Sequence, residues 1–384
     1  MHYETVLAQA GSRCDPRTGA LSMPIYQSAT FSHPGLGEST GYDYSRTANP
    51  TRTALEDVLA RLDGGRRASA FASGMAALDA VFRLVRDSSR KRILITEDPY
   101  GGTVRLLEQF FMPSGFIPAY VDTSDTQAVK KELAQGDVAL VLAEIPSNPL
   151  LRVADINALS VAAHQAGALL AVDNTFLTPA LFLPLEQGAD IALYSATKYL
   201  GGHNDVIAGA VVSATDELGA RIAYIQNAAG ATLGPMDSWL LLRGLKTLSV
   251  RLNRQQENAL AIANFLTGQK SVVKVRFPGL PDDPGYETLK RQARGFGAVL
   301  SFEIDDPTRI PGILKGVRVF SFAESLGGVE SLITYPAVQT HADMAADVRD
   351  RLGINNRLLR LSVGIENADD LIDDLKHVLR EDKP

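Results

Sequence analysis

The stretch Tyr194-Ser195-Ala196-Thr197-Lys198-Tyr199-Leu200-Gly201-Gly202 sets two hydroxyls and a lysine at the end of an apolar run, Ile191 to Tyr194, before two glycines turn the chain. Lysine is rarely buried without a partner. At the end of a buried strand such an amine can form a Schiff base to an aldehyde cofactor, with the neighbouring hydroxyls on that cofactor's phosphate. The same residues also suit an exposed loop lysine after an edge strand. A second apolar run, Ala168 to Val172, ends in Asp173-Asn174. The intervening residues 175–190 suffice for the crossover that joins parallel strands, about a dozen residues or more. Parallel strands point their C-terminal ends the same way, so Asp173 and Lys198 are expected at one sheet edge, where ligands of open α/β sheets bind. An amine for an imine and an acid for a pyridinium nitrogen are the pair that pyridoxal phosphate requires.

Other turns carry groups that could serve the same chemistry. Ser73-Gly74-Met75 follows the run Ala68 to Ala72 and opens a helical pattern. Small residues there let backbone N–H groups approach a phosphate, although a plain serine N-cap has the same appearance. Tyr100-Gly101-Gly102 follows the next strand, and its tyrosine can lie on an aromatic ring or merely occupy the turn. In Glu144-Ile145-Pro146-Ser147-Asn148-Pro149 the prolines fix the backbone and aim the Asn148 amide. Arg360 is a charge inside the apolar pattern Leu358 to Gly364. A guanidinium there needs an anion; a substrate carboxylate suits its planar fork, and an internal ion pair would serve equally.

The elements that must position these groups alternate. Leu55, Val58, Leu59 and Leu62 recur at helical spacing, and Gly64-Gly65 stops that helix. Strand-like runs at Ala68–Ala72, Ile93–Thr96, Phe116–Val121, Val138–Glu144, Leu169–Asp173, Ile191–Ser195 and Gly209–Ser213 alternate with helical ones at Gly102–Phe111, Thr126–Ala134 and Ile156–Ala166. This is the α/β signature of a mostly parallel sheet. Residues 1–50 read as an N-terminal arm, with Tyr26–Ser32 a short extended piece and Gly35–Pro50 a loop; so long a loop suggests function or pairing with another chain. Trp239–Phe265 reads as nearly continuous helix across a junction near Leu245–Arg254. Beyond it, strands at Val272–Arg276, Ala298–Ile304 and Leu359–Gly364 and a last helix at Ala368–Leu379 suggest a smaller α+β unit. The expected division is 1–50, 51–245 and 246–384.

Composition excludes several classes. An apolar fraction of 45% and a charged fraction of 21% are those of an ordinary globular protein. A net charge of −6 argues against a nucleic-acid or acidic-membrane binder, and no apolar segment suggests a membrane span. The six histidines show no metal-ligand spacing, so no catalytic metal is expected. One cysteine, Cys14, and no evident signal peptide lead us to expect a cytoplasmic protein. A Rossmann dehydrogenase would need a Gly-x-Gly-x-x-Gly turn after its first strand, which the chain lacks.

The chain resembles the Cys/Met-metabolism family of pyridoxal-phosphate enzymes. The stretches that carry the resemblance run in family order: Tyr44-Ser45-Arg46 with Asn49-Pro50-Thr51-Arg52, Ser73-Gly74-Met75, Tyr100-Gly101-Gly102, Asp173-Asn174-Thr175, Ser195 to Tyr199, Glu324 to Ser331 and Arg360 to Glu366. The resemblance implies the aspartate-aminotransferase-like architecture (fold type I), with a mostly parallel seven-stranded sheet and a smaller α+β C-terminal domain. It implies that Lys198 holds pyridoxal 5'-phosphate and shuttles protons, that Asp173 pairs with the ring nitrogen and that Tyr100 stacks on the ring; Tyr100 is also a candidate catalytic residue, its phenol placed to assist beside the imine. Ser73, Gly74, Met75, Ser195 and Thr197 would hold the phosphate. Tyr44 and Arg46 would reach the phosphate in a neighbouring subunit, which implies a homo-oligomer, at least a dimer and commonly a dimer of dimers, with small amino acids as substrates. Arg360, with Asn148 and Ser325, would take the substrate carboxylate. Glu324 resembles members doing γ-chemistry, so a cystathionine γ-synthase-like activity is expected, then a cystathionine β- or γ-lyase, then an O-acetylhomoserine sulfhydrylase. Ala48 stands where relatives often have glycine and Ser147 where threonine is common; neither change removes a functional group.

Overall fold

The computed structural model describes residues 1–342, 344 and 346–380. Seven strands form the larger sheet: β1 (Arg67–Phe71), β2 (Arg92–Thr96), β3 (Ile117–Val121), β4 (Val138–Glu144), β5 (Leu169–Asp173), β6 (Ile191–Tyr194) and β7 (Gly209–Ser213). Their order is β1-β7-β6-β5-β4-β2-β3. The strands from β2 to β6 pair in parallel, and β7 runs antiparallel to both β1 and β6. Parallel sheets are covered on both faces, which explains the near-continuous apolar runs. Alternate residues feed two cores: Leu94, Val141, Val172 and Ala192 face one, and Ile95, Leu142, Ala171 and Leu193 the other.

The smaller sheet comprises β8 (Val272–Arg276), β9 (Val299–Ile304), β10 (Ser321–Phe322), β11 (Leu332–Thr334) and β12 (Leu358–Ser362), in the order β10-β11-β12-β9-β8. It is antiparallel except for the β10–β11 pair. Strands β10 and β11 have two and three residues, too few to print a period in the sequence. Arg360 lies between Ser301 on β9 and Thr334 on β11 in register.

The helix expected from Thr51 spans Pro50–Asp63; Asn49 caps it by accepting from Thr51 and Arg52 N–H, and Gly64 ends it at φ 66°. Other elements differ from the sequence reading. The helix expected over Gly102–Phe111 ends at Leu106 and continues as a π turn, Leu107–Phe111. The long helical run is two helices, Pro235–Leu245 and Leu248–Thr267, broken at 246–247. Tyr26–Ser32 forms no strand, only an isolated bridge between Thr30 and Tyr44. Among the described residues no helix is long and apolar enough to cross a membrane.

Candidate active site

A cavity of ≈ 310 Å³ takes its walls from every residue expected on the cofactor or substrate except Tyr44 and Arg46. The floor comes from the larger sheet. Asp173 closes β5, and Lys198 stands four residues beyond the end of β6, so the two strands deliver acid and amine to the same edge. Asp173 Oδ1 accepts from Thr175 N–H at 3.0 Å and from the Thr175 hydroxyl at 2.5 Å. Burial nevertheless pushes the Asp173 carboxyl above the usual range. The Lys198 ammonium donates to Ser325 Oγ at 2.7 Å. Burial, reinforced by the Arg360 charge and opposed by Glu324, brings Lys198 down to about 8.

One wall is the turn from β1 into the helix Gly74–Leu84. Ser73 Oγ accepts from Ala76 N–H at 3.1 Å, so the serine is the N-cap as well as a cavity residue. Thr197 Oγ1 donates to Ala208 C=O at 3.1 Å and accepts from its N–H at 2.9 Å, tying the lysine loop to β7. The backbones here touch. A Cβ on Gly74 would lie 2.9 Å from Ser195 Cβ, and one on Gly209 would run into Ser73 C=O. Gly209→Ala is therefore expected to displace the Ser73–Gly74 turn, costing about 1–3 kcal/mol of stability and weakening cofactor retention. Thermal unfolding and equilibrium dialysis of the holoenzyme check both effects.

The opposite wall belongs to the smaller sheet. Arg360 is 1% exposed. Its Nη1 donates to Asn148 Oδ1 at 2.8 Å, and Nη2 donates to Ser325 C=O at 2.9 Å and Thr334 Oγ1 at 3.2 Å. Its Nε is buried without a partner. No carboxylate pairs with it among the described residues, so the internal ion pair considered from sequence does not form. Burial lowers it to about 10. Ser325 holds φ 90°, a strained value for a residue with a side chain. The surrounding loop is fixed by Gln255, which donates to Gly328 C=O at 2.8 Å, and by Gly327 N–H, which donates to Ser362 Oγ at 2.8 Å. Glu324 and Tyr100 complete the walls.

Tyr44 and Arg46 lie elsewhere. Tyr44 is 47% exposed, the Arg46 guanidinium sits 5.6 Å from its ring centroid, and Arg46 donates to Asn227 C=O at 2.8 Å.

Two groups at the site had no role in the sequence reading. Glu144 lines the cavity, and its Oε1 accepts from Tyr100 N–H at 2.8 Å. His341 is buried, and its Nε2–H donates to Asn148 C=O at 3.1 Å. Burial, with the Arg360 charge, brings His341 down to about 4. A charge closing the apolar β4 was a visible signal for Glu144, whereas nothing near His341 in sequence points to Asn148.

An open α/β sheet whose edge brings a half-buried amine and a half-buried acid to one cavity, beside a buried arginine with no carboxylate partner among the described residues, suits a pyridoxal-phosphate enzyme. The chain belongs to the Cys/Met metabolism PLP-dependent enzyme family, whose model matches residues 4–380. It is 46% identical over 379 residues to cystathionine gamma-lyase of Bacillus subtilis (strain 168), covering 99% of each chain. It is 46% identical over 373 residues to cystathionine gamma-synthase of Haemophilus influenzae, covering 97% of this chain and 96% of the relative. The crystal structure of cystathionine gamma synthase from Xanthomonas oryzae pv. oryzae in complex with aminoacrylate and cysteine superposes with a TM-score of 0.96 at 44% identity, covering 99% of this chain and 98% of that one. The cavity fits the cofactor on its own terms. Asp173 has no cation partner among the described residues, and Gly74 and Gly209 leave their turn free of side-chain bulk.

Proposed function

We propose that the enzyme is a cystathionine γ-synthase, joining an O-acylated homoserine to cysteine by γ-replacement. The carrying observation is that Glu324 lines the same cavity as Lys198 and Arg360, next to Ser325. In this reading Arg360, aimed by Asn148, takes the α-carboxylate of the acylated substrate, with its free Nε as a further donor. Glu324 attracts the ammonium group of the incoming cysteine.

The chemistry that pyridoxal phosphate supplies when bound is withdrawal of electrons from the substrate Cα. Lys198 would hold the cofactor, then take the Cα proton and return it further along the side chain; its lowered pKa places the neutral amine within reach at working pH. Asp173 would face the ring nitrogen, Tyr100 the ring, and Ser73, Gly74, Met75, Ser195 and Thr197 the phosphate, at the N-terminus of the helix Gly74–Leu84. Tyr44 and Arg46, outside their own cavity, would serve a neighbouring subunit, so the working form is a homo-oligomer built of dimers. The exposed free thiol of Cys14 suits a cytoplasmic home.

A cystathionine lyase is the second reading, favoured by the identity shared with the Bacillus subtilis relative. Purified enzyme is given O-acetyl- or O-succinylhomoserine with cysteine, then cystathionine alone. If cystathionine is split to thiol and keto acid far faster than it is made, the synthase reading fails. Glu324→Gln is expected to raise the KM for cysteine by about 10-fold, as loss of a charge-assisted hydrogen bond does, while exchange of the Cα proton of the first substrate persists. Steady-state kinetics and deuterium exchange check it.

A further inference from the structure

Besides Asp173 and Glu324 the cavity holds a third carboxyl group, Glu144, that the reaction as read above does not use. Glu144 closes β4 and is the register partner of Asp173 on β5, so both side chains leave adjacent strand ends toward the same face. Glu144 is 7% exposed. Neither carboxyl is in an ion pair among the described residues. The groups that face Glu144 are themselves acids: Asp173 on β5 and Asp98 in the turn after β2. The cations of the cavity are engaged elsewhere, Lys198 with Ser325 and Arg360 with Asn148, Ser325 and Thr334.

Two carboxyl groups side by side, one buried and one half-buried, titrate as a unit and resist double ionisation. Their donors differ in kind. Asp173 Oδ1 receives the N–H of Thr175 and, at 2.5 Å, its hydroxyl, whereas Glu144 receives backbone N–H groups alone, from Tyr100 and Asn148. The better-supported charge therefore lies on Asp173. Burial and the Asp173 charge together push the Glu144 carboxyl well above the usual range.

We propose that Glu144 is a positioning residue that carries the proton of this pair, leaving one negative charge on Asp173 while its Oε1 pins the Tyr100 turn to the cavity wall. The link to the cofactor rests on Asp173 serving the ring nitrogen; the protonation of Glu144 does not.

The test uses the full-length holoenzyme with Glu144→Gln and Glu144→Ala. Glutamine keeps an acceptor oxygen and has no proton to lose. A glutamate whose folded pKa is raised contributes its full stability below the unfolded value of about 4.3 and loses it as pH rises toward the folded value. Glu144→Gln should therefore unfold at a higher temperature than the wild type at about pH 8, with the gap narrowing toward about pH 5. It should retain pyridoxal phosphate as the wild type does. Glu144→Ala should release the cofactor about 10-fold more readily in equilibrium dialysis followed by visible absorbance. A glutamine variant that is less stable by the same margin at both pH values overturns the proton assignment. An alanine variant with wild-type retention overturns the anchoring role. Failure of the Asp173 reading would show separately, as Asp173→Asn with undiminished cofactor affinity and an unchanged visible spectrum.

Discussion

Lys198→Ala should yield a folded protein that lacks the wild-type visible absorbance, with turnover lower by at least about 10³-fold, within the range a positioned proton shuttle supplies. Among the described residues the ammonium makes one hydrogen bond, to Ser325, and it lines an open cavity. Its loss removes a desolvated charge and little packing, so the melting temperature of the protein without cofactor should change little. The pH profile adds a sign. Since Lys198 lies at about 8 rather than at its ordinary value, the neutral amine grows tenfold per pH unit up to that point and then levels. A wild-type rate that rises along this limb supports the assignment; an alanine variant that keeps both absorbance and turnover ends it.

Arg360→Ala should raise the KM for the acylated substrate about 100-fold, from a loss of about 3 kcal/mol when one partner of a buried charge pair is truncated. The carboxylate would lose a fork held by Asn148, Ser325 and Thr334. Arg360→Lys should recover little of this. A single ammonium cannot satisfy those acceptors and a planar carboxylate together. Steady-state kinetics decide the matter, with the visible spectrum as the control that the cofactor remains in place. An unchanged KM would return Arg360 to a structural role.

Much of this site could be read from the chain because its parts sit where apolar runs end. Val138–Glu144, Leu169–Asp173 and Gly209–Ser213 match the observed strands residue for residue, since a strand buried on both faces needs an unbroken apolar run and its polar terminus marks the sheet edge. Arg360 was conspicuous for a different reason, as a charge in the middle of such a run. The residues that escaped owe their place to packing between distant segments. His341 meets Asn148 across 193 positions, and Glu144 acquires its meaning only once the register sets it beside Asp173. The break at 246–247 was hidden because Lys246 and Thr247 disturb neither the helical period nor the composition on either side.

The amine and the acid follow strands of the larger sheet, whereas Arg360 lies on the smaller one and the strained Ser325 in the loop between its β10 and β11. Under the proposed roles, the grip on the vitamin and the choice of guest would have separate foundations, joined by the contact between Lys198 and Ser325. Redesign of the 324–328 loop could redirect this catalyst to a different amino acid while the seat of the vitamin stays intact.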